Sequence, residues 1–383
     1  MSSVTAMATY ATTTTILSLS WSIAMGRHGR MFMSEVKFKP FSGVHCESTM
    51  LVNLLGQQGI ALSEDMVFGL GMGLSYIHWQ SGGMPYPFIG GRVKPDLLAE
   101  NLSAVLGVKF DVRESSSDSR AMNNALGALE EGKLVGLKLD HYYLEYFQEK
   151  AVHFHAHYAT MYKADEQGAW LVDTEDAKGG GYTSFDSLTE ARSAKGPMSS
   201  KSLSVTVADG PWLPELREHL AARLPTAFFI ALAANAHTYL NPPIKNMGYK
   251  GILTTSEKIA GWLDEIDNPG ESLPIIAMLM ERAGTGGGMF RKIYARFLQQ
   301  GCKLTGVKAL APAAKEFEAI AALWTEVAQL IERAGKSGSK DALASASKLL
   351  AEISGREQAQ FTVLEALARE AIDKAPSAEG AQQ

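Results

Sequence analysis

Cysteine is scarce: Cys46 and Cys302 are the two thiols in 383 residues. That is too few for a disulfide framework or a structural zinc site built on thiolates, and a reducing cytoplasm is the expected compartment. Basic excess is also missing. Lys and Arg number 36 against 41 Asp and Glu, a net charge of −5, which argues against nucleic-acid binding by phosphate neutralisation. No run approaches the roughly 20 apolar residues that a bilayer-spanning helix needs, so no membrane span is expected. The mildly apolar segment Ile16 to Met25 follows a Thr-rich leader without a basic region, unlike a secretory signal.

What is present is the composition of a globular chain, 46% hydrophobic and 20% charged, long enough for about two domains. Residues 1–34 read as a disordered extension, with Met33 an alternative start, and residues 375–383 as a frayed tail. Two regimes meet near Gly210-Pro211. Before it, Gly-rich turns separate short β-branched and aromatic runs, which predicts an α+β domain over 35–210. After it, Ala/Leu/Glu-rich stretches predict an all-α domain over 211–374.

In the first domain, CESTMLVNLLGQ at 46–57 places Met50, Leu51, Leu54 and Leu55 on one helical face. Strands are predicted at Leu134–Lys138, Val152–Tyr162 and Ala169–Asp173, the last two as a hairpin. In the second, periodicity predicts helices near Leu213–Ala222, Ala227–Leu240, Ile252–Glu265, Leu273–Arg282, Gly288–Gln299, Pro312–Ala334 and Lys340–Asp373.

Cys46 falls at the predicted start of a helix, where the positive end of the macrodipole favours a thiolate. A nucleophile needs a base, and the base needs an orienting acceptor. His157 and Asp173, 16 residues apart on the predicted hairpin, could supply both. Cys46 could equally be a small buried hydrophobe, as most free cysteines are.

FSGVHCES at 41–48, NLL at 53–55, Gly59, LSE at 62–64 and FGLGMGL at 68–74 resemble the butirosin biosynthesis protein H family. AGTGGGMFRKIYARFL at 283–298 resembles the hallmark of that family's C-terminal helical region. The resemblance spans about residues 36–370. It implies a papain-like N-terminal domain, similar to bacteriocin-processing peptidases, with Cys46 as nucleophile, His157 as base and Asp173 as orienting acid. It also implies an acyltransferase that carries an acyl group from a carrier-protein thioester to an amine. No bound cofactor is expected. The donor would be an acyl-phosphopantetheine on an acyl carrier protein, or acyl-CoA.

One departure concerns the oxyanion hole. Papain-like peptidases usually carry a Gln a few residues before the cysteine, and residues 39–45 read KPFSGVH. The Cys46 amide is one donor. Candidates for the second, or for the pocket around it, are His45, a backbone N–H near Gly43, and Glu47; His45 also suits a packing role.

Other motifs keep two readings. His153, His155 and His157 alternate, but a flat strand spaces such side chains nearly 7 Å apart, too far for three to share one zinc, and no metal is expected. Thr285, Gly286, Gly287 and Gly288 with Arg291 could form an anion site for a phosphopantetheine phosphate, or simply a tight interhelical turn. Asp140-His-Tyr-Tyr could shape an acceptor site or pack, and the Phe68–Leu74 glycines fit close packing. Cys302, near a helix end without a base, is expected to be inert. An acidic carrier would need a basic dock, for which Lys245, Lys250, Arg291 and Arg296 are the candidates. A cysteine peptidase or amidase, or a non-catalytic binding protein of the same fold, are the alternatives.

Overall fold

The computed structural model describes residues 34–147 and 153–374. The extension expected over 1–33 and the tail over 375–383 lie outside the described residues, whereas Ser34 is already in a strand.

The first half runs β1 (Ser34–Glu35), α1 (Cys46–Gln57), α2 (Glu64–Leu70), β2 (Leu74–Trp79), β3 (Phe88–Arg92), α3 (Leu97–Leu106), β4 (Phe110–Arg113) and α4 (Asp118–Glu130). It continues with β5 (Val135–Leu139), β6 (His157–Ala164), β7 (Gly168–Val172), β8 (Gly180–Ser184), α5 (Phe185–Ser193) and β9 (Ser204–Val207). The second half is helical: α6 (Trp212–Leu240), α7 (Gly248–Lys258), α8 (Trp262–Glu265), α9 (Pro269–Glu281), α10 (Arg291–Thr305), α11 (Leu310–Ser337) and α12 (Lys340–Asp373). The chain is thus α+β with a helical C-terminal region. No helix among the described residues is long and apolar enough to cross a membrane.

Seven strands make one sheet, ordered β4-β9-β5-β6-β7-β8 with β1 also on β6, and every pair is antiparallel. The predicted hairpin is β6–β7. Its first strand begins at His157, five residues later than expected; of the missing stretch, Val152 lies outside the described residues, while His155 and Ala156 form a turn rather than extend. β5 is buried at all five positions, so both its faces are covered. One cover is α1, whose Met50 and Leu54 lie over Gly136, where a Cβ would overlap the Met50 sulfur. Each leucine that α1 buries there contributes about 1.5–3 kcal/mol.

The described residues all belong to one compact unit. The composition change at Gly210-Pro211 marks the step from strands to helices, and the helices close directly on the first half. Gly69 of α2 lets the Phe297 ring of α10 lie on its backbone, so at that glycine the close neighbour is α10 rather than the Cys46 helix. α6 runs unbroken through Pro225 where two helices were predicted. A proline removes one backbone bond, and the buried Ala227, Phe228, Phe229, Ala231 and Leu232 together with Leu213 and Leu216 anchor both sides of it. α10 starts at Arg291 rather than Gly288, because Gly284, Gly286, Gly287, Gly288, Met289 and Phe290 all have positive φ, which no α-helix permits.

Candidate active site

Cys46 is the first residue of α1, so its amide has no carbonyl four residues back to bond. The side chain is 7% exposed, and Sγ lies 4.0 Å from the Ala156 carbonyl oxygen, one residue before His157. β6 delivers His157 as its first residue, and Asp173 directly follows β7. The two meet at the open end of the hairpin, His157 Nε2 lying 2.7 and 2.9 Å from the two Asp173 carboxylate oxygens.

Nε2 therefore faces Asp173, and Cys46 is among the groups that raise the pKa of the same imidazole. Burial would lower the His157 pKa, but the Asp173 charge, its hydrogen bond and the neighbouring Cys46 push it up to about 10. At neutral pH the ring is an imidazolium. Burial would raise the Asp173 carboxyl, and His157, the Thr174 amide and the Tyr146 hydroxyl instead hold it below the usual range. Tyr146 Oη donates to Asp173 Oδ2 at 2.8 Å and Thr174 N to Oδ1 at 2.7 Å. The structure thus gathers Cys46, His157 and Asp173 from α1 and the two hairpin strands.

The expected oxyanion candidates have definite partners. The amides on either side of the Val44–His45 peptide both donate to Glu64, Val44 N at 3.1 Å and His45 N at 2.8 Å, so the backbone N–H groups just after Gly43 are engaged. The Gly43 carbonyl accepts from Glu175 N, and a Cβ on Gly43 would meet the Glu64 carboxylate at 2.7 Å. His45 is the N-cap of α1, accepting from Ser48 N through Nδ1, with Phe68 and Phe290 edge-on to its ring. Burial, then Arg92 and His157, hold it well below the usual pKa, so it is neutral. With Nδ1 accepting, the proton is on Nε2, which has no partner among the described residues. Glu47 is buried against Arg92 at 2.6 Å.

Of the two readings of 285–288 with Arg291, anion site or tight interhelical turn, the bonds of this loop favour the turn. Gly287 N donates to Thr285 Oγ1 and Gly288 N to the Glu281 carboxylate, which puts a negative charge where phosphate would sit. Arg291 is fully buried and bidentate to Glu357 at 2.7 and 2.8 Å, with further bonds to the Ser75, Gly91 and Met289 carbonyls. The loop is a close-packed turn against Val44, beside the start of the Cys46 helix. The basic dock also shrinks: Arg291 is inside and Arg296 pairs with Asp65 at 2.9 Å, leaving Lys245 and Lys250 exposed. Cys302 lies in the last turn of α10, its carbonyl accepting from Gly306 N.

Sequence reasoning missed the parts played by Arg92, Tyr146 and Glu64, whereas His141 belongs to the segment read as shaping an acceptor site or packing, and its ring centroid is 5.6 Å from that of His157. Burial, then His157, lower the His141 pKa to about 4. Arg92, Tyr146 and Glu64 come from three separate segments, and no local spacing signals them.

Residues 45–174 match the family described as Butirosin biosynthesis protein H, N-terminal, and residues 186–364 match a domain of unknown function, DUF4872. The first match contains Cys46, His157 and Asp173. Over 45–174 the chain is thus similar to the N-terminal domain of the butirosin biosynthesis protein H family. No curated protein matches the chain.

Proposed function

We propose that the protein is an acyltransferase of specialised-metabolite biosynthesis, working through an acyl thioester on Cys46. The observation that carries this is the His157–Asp173 pair at 2.7 Å with Cys46 Sγ 4.0 Å from the carbonyl of the preceding residue, Ala156. The order Cys, His, Asp, with the thiol on a helix against the sheet that bears the other two, supports a papain-like arrangement. The family's name, which is that of a biosynthesis protein, favours transfer over proteolysis.

An imidazolium beside a thiol favours the thiolate. The Cys46 sulfur attacks the donor carbonyl, and the tetrahedral oxyanion takes the Cys46 amide as one donor. His45, with its partnerless Nε2–H, is suited to be the second. The carbon–sulfur bond to the donor breaks, and His157 gives its proton to the departing thiol. The neutral imidazole then takes a proton from the attacking amine as the amide forms and Cys46 leaves. Thioester and amine become thiol and amide, and the starting ion pair is restored. The donor is an acyl-phosphopantetheine on a carrier protein or acyl-CoA, with Lys245 and Lys250 available for an acidic carrier.

Incubating the protein with a panel of acyl thioesters and reading intact mass tests this. An acyl adduct on the wild type, absent from Cys46→Ala, is expected. Because Cys46 is only 7% exposed, an adduct reports donor recognition rather than simple thiol access. No adduct with any donor would move weight to a binding protein of the same fold.

A further inference from the structure

His153 and His155 were expected to lie along a flat strand. Instead the chain turns before β6, and the two rings stack with centroids 5.9 Å apart and planes 16° apart. Both aim at one atom: Asp140 Oδ2 is 2.7 Å from His153 Nδ1 and 3.5 Å from His155 Nε2. All three candidate ligand atoms lie within 4.8 Å of one another. Tetrahedral zinc with bonds of about 2.0–2.1 Å needs ligand atoms roughly 3.3 Å apart, so the separations at Oδ2 bracket that value.

The groups are held in place from behind. Asp140 is fully buried, and its other oxygen accepts from Tyr142 N at 3.1 Å and Phe154 N at 3.0 Å, which leaves Oδ2 turned to the imidazoles. The Tyr142 ring lies over His153 at 4.0 Å, and His155 covers Gly196 so closely that a Cβ there would overlap the ring. His153 is half-exposed, which leaves a side open for water as a further ligand. Supporting hydrogen bonds of this kind are what orient ligands in metal sites.

We propose that Asp140, His153 and His155 form a binding site for a divalent first-row transition cation of the zinc class. Imidazole nitrogens with one carboxylate oxygen suit such ions, while calcium prefers oxygen ligands alone. The ion would tie the end of β5, just before Asp140, to the segment that enters β6 two residues ahead of His157. His157 itself is turned the other way, onto Asp173. The site is separate from the acyl-transfer chemistry and stands whether or not that reading does.

The test is Zn2+ titration of chelator-treated full-length protein in a Cys46→Ala background, which keeps the active-site thiol from competing. One equivalent is expected to bind and to raise the melting temperature, with Ca2+ doing neither. His153→Ala and His155→Ala should each weaken Zn2+ at least 10-fold, and the remote, exposed His219→Ala should not. Co2+ added to the wild type supplies a readout that needs no variant: a visible spectrum without a thiolate charge-transfer band is expected. No bound equivalent, affinity unchanged in both histidine variants, or a thiolate band that disappears in Cys46→Ala would each overturn the proposal.

Discussion

His157 and Asp173 form one buried ion pair, and its pH dependence follows from the two shifts. The folded His157 value of about 10 lies above its ordinary 6.5, so its stabilisation is complete below about 6.5 and is lost as pH rises through about 10. Asp173 is depressed below 3.8, so its stabilisation is present above about 3.8 and is lost as pH falls through the lower folded value. Denaturant unfolding of wild type and Asp173→Asn across pH 5–10 should therefore show the largest gap near pH 5–6.5, closing toward pH 10. A constant gap would contradict the pairing. Asp173→Asn should also cut turnover by about 10^3–10^4 by disturbing the imidazole tautomer and charge, measured as acyl transfer at saturating donor. Tyr146→Phe, which leaves His157 and Thr174 on Asp173, should cost far less, on the order of the 0.5–1.5 kcal/mol of one hydrogen bond. At this scale the sequence made Cys46, His157 and Asp173 visible as residue types in a chemically sensible order. Arg92 and Tyr146 were not visible, because their partners Glu47 and Asp173 lie 45 and 27 residues away and a single Arg or Tyr carries no periodic signal.

Among the elements, α1 is set on the sheet by a missing side chain. Gly136 lets Met50 rest on β5, and the same helix carries Cys46 at its first residue. Gly136→Ala should destabilise by about 1–3 kcal/mol, the usual range for overpacking, read by urea unfolding. It should also slow acyl-adduct formation, because lifting α1 moves the thiol from the imidazole. An unchanged adduct rate together with lost stability would show that the helix start is held by Glu64 instead. The apolar periodicity of 46–57 and of the last two helices identified those elements well, although α1 is buried over most of its surface. Short pieces such as β2, β3 and α2 escaped notice because Gly69, Gly71, Gly73, Gly90 and Gly91 interrupt any pattern. Those glycines do their work through close approaches to distant rings and backbone, as Gly69 does with Phe297. The 284–288 glycines illustrate the limit further: sequence shows that the loop can be tight, but whether its amides face a ligand or Glu281 depends on a side chain in another helix.

Across the whole molecule, the buried Arg291–Glu357 pair joins α10 to α12 and, through the Ser75 and Gly91 carbonyls, to β2 and β3. Trp324 Nε1 donates to the same carboxylate at 2.9 Å, and the Tyr239 hydroxyl also donates to it. Removing one partner strands a buried charge, so Arg291→Ala or Glu357→Ala should each cost about 3–5 kcal/mol, measured by chemical denaturation. Arg291→Met combined with Glu357→Leu should recover much of that loss, because it removes both charges and fills the space. The ion pair spans 66 residues within the helical region, and the carbonyl bonds cross 216 and 200 residues between the two regimes of composition, so no local pattern in the sequence signals the connection.

The central claim is that an acyl group on Cys46 is an intermediate. The most direct measurement is a pulse–chase: load the protein with an isotopically labelled acyl thioester, remove free donor, add an amine, and follow the label by intact mass and product analysis. The account predicts label first on a peptide containing Cys46, then in an amide at the rate of overall turnover, faster with amine than with water alone. Label that remains on the protein while amide forms from fresh donor would contradict it.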